Sequence, residues 1–362
     1  MSLPTYPFQR QRYWLETKPI PATSGQSEWN SVCEAASYQS RHGSFDLRVA
    51  AYPGRWAVLD RLSQAFISEV LVRFGVFRTA GETHSAGSLV ERCGIATSYR
   101  KLIHAWLARL GRDGVLRQEG DRFTAVQPLT APDMARIRSE ADAAFEGDRI
   151  FLDYVLRCGQ NLANIVSGRT NPLETLFPGG DFTQAEDLYE RAPLSAYFRA
   201  IGRSALEAFV RSRRQGDFRV LEVGAGTGST ASALLPVLPP NATEYHFTDV
   251  SESFLNYAKR KFAAYPFVRY AHLNIELDDV QAYNPGGFDV VAATNVLHAT
   301  KDICATARHV KSLLAPGGIL ILCECTESFP WFDVTTALIE GWQRFEDGIR
   351  GEQPLLLSLI HI

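Results

Sequence analysis

The chain is expected to be an α/β protein, with a parallel-sheet domain in its C-terminal half preceded by a mainly helical N-terminal half. Three observations predict this. An apolar run from Phe218 to Val223 is followed by glycines at alternate positions, Gly224, Gly226 and Gly228, and then by the helix-forming stretch Ser229 to Leu235. Further short apolar runs recur at 244–249, 268–273, 288–294 and 318–326, each separated by room for a crossover. Before them, from Trp56 to about residue 215, apolar residues repeat mostly at helical spacing.

The glycine stretch is the most informative. Phe218–Val223 reads as a buried strand, and the glycines let the backbone turn tightly and approach a ligand closely. The helix opening at Ser229 turns its N-terminal amides toward that ligand. A dinucleotide fingerprint requires a third glycine where Ser229 stands. The pattern Glu222-x-Gly224-x-Gly226-x-Gly228 instead resembles the first motif of the S-adenosylmethionine (SAM) methyltransferases. The resemblance assigns Glu222, Gly224, Ala225, Gly226 and Gly228 to the cofactor and implies a Rossmann-like class I methyltransferase core.

Composition narrows the alternatives. With 362 residues there is length for two or more domains with proper cores. A formal net charge of −3 provides no bulk attraction to nucleic acid or anionic membrane. No apolar run is long enough to span a bilayer, and the first residues lack a signal-peptide pattern. The six cysteines are scattered; Cys323 and Cys325 fall in an expected strand and point to one face as reduced thiols rather than zinc ligands. A cytoplasmic protein is expected.

Residues 1–45 read as an arm and linker. Pro4 and Pro7 keep the first stretch extended, and Tyr6-Pro-Phe-Gln-Arg-Gln-Arg-Tyr-Trp14 is similar to the linker that follows the acyltransferase of modular polyketide synthases. The resemblance implies a domain placed directly after an acyltransferase. Residues 46–205 are expected to form a lid, and 206–362 the core. Within the lid, helices at 56–77 and 99–110 and a hairpin over 115–124 outline a winged helix. That motif raises DNA binding as a second function, but Trp106 and Leu107 interrupt the basic face and Glu119 and Asp121 sit at the wing tip, where phosphate is repelled. A helix follows over 153–165, around Tyr154, and Leu188-Tyr189 resembles the end of the helical lid in polyketide-synthase methyltransferases. That likeness makes Tyr154 and Tyr189 lid residues facing cofactor or substrate; the competing reading of Tyr189 is a packing tyrosine.

In the core, strand 244–249 ends in Asp249, where an acid beyond a strand's carboxyl end takes ribose hydroxyls; Val250 stands beside it. His246, earlier in that strand, reads as structural. Strand 268–273 ends at Asn274-Ile275, where methyltransferases often carry Asp; the Asn carbonyl can accept from the adenine amine, and Ile275 packs on the ring. After strand 288–294 comes Asn295-Val-Leu-His-Ala-Thr300, which closely matches a motif of polyketide-synthase methyltransferases and puts Asn295 on the cofactor side. His298, just past a strand end and facing the glycine crevice, is placed to act as general base. Glu324, at the end of strand 318–326, can orient its far nitrogen, with Glu327 as the positional competitor; the resemblance assigns the same His–Glu pair. No carboxylate cluster suited to a metal is evident in the sequence. Trp331 to Phe345 reads as a helix, and only Leu355 to Ile362 remains to supply the family's closing strands.

The resemblance implies a SAM-dependent domain acting on a polyketide carried by phosphopantetheine on an acyl carrier protein, beside the other domains of a synthase module, with neither nucleic acid nor membrane as partner. The expected acceptor is the β-hydroxyl oxygen, because the linker leaves no room for a dehydratase and Glu340-Gly-Trp-Gln343 departs from the Gly-Trp-Trp run of carbon methyltransferases. The alternative is the α-carbon of a β-ketoacyl chain. A catalytically inactive SAM-fold spacer is opposed by the intact glycine loop, Asp249 and His298.

Overall fold

Two bodies of structure share one long seam in the computed structural model, which describes residues 25–46, 49–213, 217–277, 283–350 and 354–355. The expected arm at 1–16 lies outside the described residues, as does all of the expected closing strand at 355–362 except Leu355.

The helical body opens with α1 (Gly25–Asp46) and α2 (Tyr52–Arg73). Helix α1 corrects the linker reading for residues 25–45, while the rest of the expected arm and linker, up to residue 24, lies outside the described residues. Its apolar stripe is thin, with Val32 the buried anchor, so the sequence carries little periodic signal. It is held instead by α8 (Pro193–Ser212), whose Tyr197 hydroxyl donates to the Ser40 carbonyl at 2.7 Å. Strand β1 (Thr83–Ser85), α3 (Ala86–Cys93), α4 (Arg100–Arg112), β2 (Leu116–Glu119) and β3 (Arg122–Ala125) form the winged helix, its antiparallel sheet ordered β1-β3-β2. Then come α5 (Met134–Ala144), α6 (Arg149–Val166) and the short α7 (Thr183–Glu186), which runs into a π turn at Asp187–Arg191. Helix α6 lies directly on α2: a Cβ on Gly159 would come within 2.3 Å of the Phe66 ring.

The core is a five-stranded parallel sheet ordered β6-β5-β4-β7-β8. Its elements in chain order are β4 (Phe218–Val223), α9 (Ser229–Leu234), β5 (Thr243–Asp249), α10 (Glu252–Lys261), β6 (Val268–His272), β7 (Phe288–Thr294), α11 (Ile303–Leu313) and β8 (Leu314–Cys323). The central strands are buried on both faces, as their near-continuous apolar composition requires. The order reverses beside β4, so the carboxyl ends of β4, β5 and β7 surround one crevice. His246 is structural: its Nδ1 meets the Tyr283 hydroxyl at 3.0 Å and its ring stands edge-on to Phe288. Cys323 ends β8 and Cys325 lies just past it; both are free thiols, pushed up to about 11 and about 12 by burial.

The helix expected over Trp331–Phe345 is not continuous. Pro330–Val334, Thr336–Leu338 and Glu340–Gln343 are separate 3-10 turns, broken first at Thr335 (φ −131°, ψ −99°). Packing prevails over helical spacing here, because the segment is the seam between core and winged helix. From α4, the Trp106 indole donates to the Asp333 carbonyl at 3.0 Å, and Arg109 donates twice to the Asp333 carboxylate, at 2.9 and 2.6 Å. The Tyr99 hydroxyl reaches the Leu338 carbonyl at 2.9 Å, and Lys101 that of Phe345 at 3.0 Å. The helix that a DNA-binding protein would insert into a groove is thus spent on an intramolecular contact. Among the described residues no helix is long and apolar enough to cross a membrane.

Candidate active site

The crevice is built on the loop that joins β4 to α9. Gly224, Gly226 and Gly228 all have positive φ (58°, 55° and 81°), a region costly for any residue with a Cβ. Their surroundings differ. A Cβ on Gly224 would come within 2.7 Å of Val296, and one on Gly228 within 2.5 Å of the Phe262 ring. One on Gly226 would meet nothing nearer than the Gly224 carbonyl at 4.0 Å, so the middle glycine faces open space.

The end of β5 pins this loop. Ala225 donates its amide to the Thr248 carbonyl at 2.9 Å, and Gly226 donates to Asp249 Oδ2 at 2.9 Å. Asp249 Oδ1 accepts from the Ser251 amide at 2.8 Å. Burial raises the Asp249 carboxyl above its usual range, against these backbone bonds, which lower it. Val250, its neighbour, is exposed. Glu222 lies beneath the loop, 2% exposed, and accepts the Tyr245 hydroxyl at 2.7 Å; burial pushes it up to about 8. Asn274 uses its side-chain oxygen to accept the Glu276 amide at 3.0 Å, and the carbonyl of buried Ile275 meets His309 Nδ1 at 2.8 Å.

Past the end of β7, the chain reverses through Asn295, a non-glycine residue at φ 54°, whose amide donates to the Cys323 carbonyl at 2.8 Å. A single 3-10 turn, Leu297–Ala299, then presents His298. Its Nδ1 lies 2.7 Å from Glu324 Oε2, while Glu324 Oε1 accepts the amides of Val296 and Leu297, each at 2.7 Å. A carboxylate can only accept, so the proton of neutral His298 sits on Nδ1 and the Nε2 lone pair is left available. Both side chains are largely buried, at 12% and 6% exposure. The competitor, Glu327, is exposed.

The glycine loop and the histidine turn touch. Val296 packs on Gly224, and the Thr230 hydroxyl donates to the Thr294 hydroxyl at 3.0 Å. The lid reaches the same place. The Tyr189 carbonyl accepts the Ser229 hydroxyl at 2.6 Å, and burial pushes the Tyr189 phenol up to about 12. Tyr154 is fully buried beneath it, its phenol also raised by burial.

Three residues of the site are not evident from sequence reasoning as members of it. Trp342 stands edge-on to His298, ring centres 5.1 Å apart, though its local run gives no sign of that contact. Lys261, on α10, bonds the Thr227 carbonyl at 3.1 Å together with Glu186 and Glu190 of the lid. Arg350 donates to the His298 carbonyl at 2.8 Å. Each contact joins positions far apart in the chain, and no local spacing announces it.

Known proteins resemble this chain in sequence and fold. Residues 221–320 match the family described as a methyltransferase domain. The polyketide synthase ThaQ of Burkholderia thailandensis is 34% identical over 303 residues, 80% of this chain but only 14% of that synthase, so the chain spans a small part of the curated relative. The solved structure of the CurJ carbon methyltransferase matches with a TM-score of 0.82 at 30% identity, covering 92% of this chain and 87% of that one. The DszA carbon methyltransferase matches at 0.78 and 30%, covering 85% and 82%. At that identity and coverage, the chain belongs to the SAM-dependent methyltransferase domains of polyketide synthases.

Proposed function

We propose that the chain methylates the α-carbon of a β-ketoacyl thioester carried by phosphopantetheine on an acyl carrier protein, with His298 as general base. The observation that carries the choice of atom is the likeness to two carbon methyltransferases, each 30% identical and matched over more than four-fifths of its length. It outweighs the features that favoured oxygen. One of those, the Tyr6–Trp14 linker motif, lies outside the described residues. The other is the run around Trp342, which here supplies an indole against the histidine.

The residues fit the cofactor. The open side of Gly226 is the space a bound nucleoside needs, and a Cβ would fill it. Asp249 would hold the ribose with the lone pairs its two backbone bonds leave free. Exposed Val250 and the Asn274-Ile275 pair would flank the adenine, and Asn295 and Ala225 would line the same wall. Glu222, fully engaged below, would support the loop rather than touch the ligand. Tyr189 would cover the site from the lid through its contact with Ser229. When bound, SAM supplies an electrophilic methyl on a good leaving group.

The chain's own contribution is positioning and one proton transfer. His298 Nε2 would take the α-proton of the β-ketothioester and hold it on the imidazole, leaving the C–H electron pair on the α-carbon for the methyl that SAM would supply, whose sulfur would keep the electrons of the broken sulfur–methyl bond. Glu324 stabilises the resulting imidazolium through Nδ1 and keeps the ring turned toward the crevice.

The test is intact-protein mass spectrometry of a carrier protein loaded in turn with β-ketoacyl and β-hydroxyacyl chains, after incubation with SAM and the 362-residue chain. A one-methylene mass gain on the keto substrate alone, with exchange of the α-proton, supports the proposal; His298→Ala then abolishes the gain. A gain only on the hydroxyl substrate overturns it in favour of oxygen.

A further inference from the structure

We propose that Arg350 is a positioning residue for the general base, acting through the main chain of the histidine turn. The proposal rests on His298 being that base. The side chain of Arg350 is wholly buried, with 0% exposure, and it spends its guanidinium on the carbonyls of one short stretch. Nη1 donates to the His298 carbonyl at 2.8 Å; Nη2 donates to the carbonyls of Thr300 at 2.6 Å and Lys301 at 2.8 Å. Its Nε donates to Asp347 Oδ2 at 2.7 Å, so the charge is neutralised locally. Asp347 in turn accepts the amide of Ile303, where α11 begins, at 3.1 Å. The Phe345 ring supports the guanidinium at 5.4 Å.

Glu324 and Arg350 therefore grip the same turn from opposite ends. The carboxylate takes the N–H groups that enter it, at Val296 and Leu297, and the guanidinium takes the C=O groups that leave it, at His298, Thr300 and Lys301. A turn with only one gripped end can rock about the other, and the imidazole would swing with it. An arginine suits this task because its planar fork serves several carbonyls at fixed angles, which a single ammonium cannot do. Arg350 bonds the backbone, not the imidazole, so its effect on catalysis is indirect.

A merely structural buried arginine is available for comparison. Arg55 is buried at 7% exposure in the lid and donates to Asp148 at 2.7 Å and to the Ala144 carbonyl at 3.2 Å. The experiment compares R350Q, R350K and R55Q in the 362-residue chain. It measures kcat and KM with a β-ketoacyl pantetheine thioester, SAM affinity by calorimetry, and the His298 ring nitrogens by NMR, assigned with H298A. Displacement of the imidazole predicts that R350Q lowers kcat about tenfold to a hundredfold, with SAM affinity within about twofold of wild type. It also predicts loss of the defined Nδ1–H tautomer signal, with partial rescue of both readouts by R350K. R55Q should lose stability and leave the His298 signals unchanged.

An R350Q variant that keeps wild-type kcat and His298 signals overturns the proposal. So does one whose loss only tracks its folded fraction, as expected for R55Q. If R350Q does not fold, R350K decides: a folded R350K with wild-type kcat and tautomer overturns the proposal, and one with lowered kcat and altered signals supports it. The NMR readout needs no turnover. An inactive wild-type chain whose His298 signals still respond at Arg350 therefore defeats the proposed reaction without defeating the positioning role.

Discussion

Glu324 holds His298 through its side chain and through the two amides that precede it, three bonds of 2.7 Å from one carboxylate. Oε1 is committed to the backbone and Oε2 to the imidazole, and this division makes Glu324→Gln a severe substitution despite its matching shape. A glutamine whose oxygen serves the two amides must present its NH2 to Nδ1, which forces the ring proton onto Nε2 and removes the base. Flipping the amide restores the tautomer but sets the NH2 against two N–H donors. E324Q is expected to lower kcat by about a thousandfold or more, near the loss in H298A, with SAM affinity nearly unchanged. Single-turnover kinetics at saturating SAM check this.

The glycines of the cofactor loop should respond differently to the same small change. Gly226→Ala adds a Cβ where there is room, so its stability cost is the left-handed backbone alone, about 1–2 kcal/mol. The added methyl enters the space proposed for the nucleoside, and SAM affinity should fall at least about tenfold, a loss of about 1.4 kcal/mol. Gly228→Ala drives its Cβ into Phe262, and overpacking should add about 1–3 kcal/mol to the same backbone cost. Denaturant titration and calorimetry together separate the two. A Gly226→Ala chain that binds SAM normally would remove the loop's open side from the cofactor site.

Much of this site is legible in the chain because it is local. Three glycines after a strand, an acid at the end of the next and a histidine at the end of a third each announce themselves by position, and the sheet order brings them together. What escapes is what depends on distant partners. Helix α1 has only a thin apolar stripe and exists against α8. The segment 330–343 carries helical spacing but is shaped by Trp106 and Arg109 of α4. Strand β8 begins at Leu314, through Pro316-Gly317-Gly318, a run that reads as a turn. It pairs with β7 at Leu314, opposite Phe288, and again from Ile319, opposite Val290, with the run between forming an irregularity in the register; a Cβ on Gly318 would come within 3.0 Å of the carbonyls of Phe288, Asp289 and Ala315. Arg350 looks like any basic residue near a chain end until its contacts with His298, Thr300 and Lys301 are seen.

Glu222 gives the fold a pH dependence of definite sign. Burial lifts its carboxyl to about 8 from an ordinary 4.5, so in the folded chain it keeps its proton at pH values where the unfolded chain has lost it. Its contribution is present in full below about 4.5 and is lost as pH rises toward about 8. Within that window stability should fall with rising pH, with a limiting slope of about 1.4 kcal/mol per pH unit from this one group. Glu222→Gln keeps an acceptor for the Tyr245 hydroxyl and cannot ionise, so this component of the slope should vanish. Urea unfolding of both chains across the window, compared at each pH, isolates the difference. Parallel stability profiles would show that Glu222 is already ionised in the fold.

Lys261 ties the lid to the cofactor loop, and its removal should weaken binding more than chemistry. The ammonium bonds Glu186 at 2.5 Å, Glu190 on the adjoining π turn, and the carbonyl of Thr227 between two of the loop glycines at 3.1 Å. All three charged side chains are mostly buried, with exposures of 18–20%, so salt screens the triad less than a surface pair. Lys261→Met leaves the carboxylates of Glu186 and Glu190 side by side without their cation and frees the loop carbonyl. The lid end that carries Tyr189 then loses one of its ties to the loop, while the Ser229 bond to the Tyr189 carbonyl remains. SAM affinity should fall about tenfold, equivalent to about 1.4 kcal/mol, with kcat at saturating cofactor within about threefold of wild type, because the His298 turn is untouched. Substituting both carboxylates, Glu186→Gln with Glu190→Gln, relieves the repulsion and should recover part of the affinity in the Lys261→Met background. Calorimetry on the three chains tests the latch; equal SAM affinity in all of them would mean that the lid is held over the site by its apolar contacts alone.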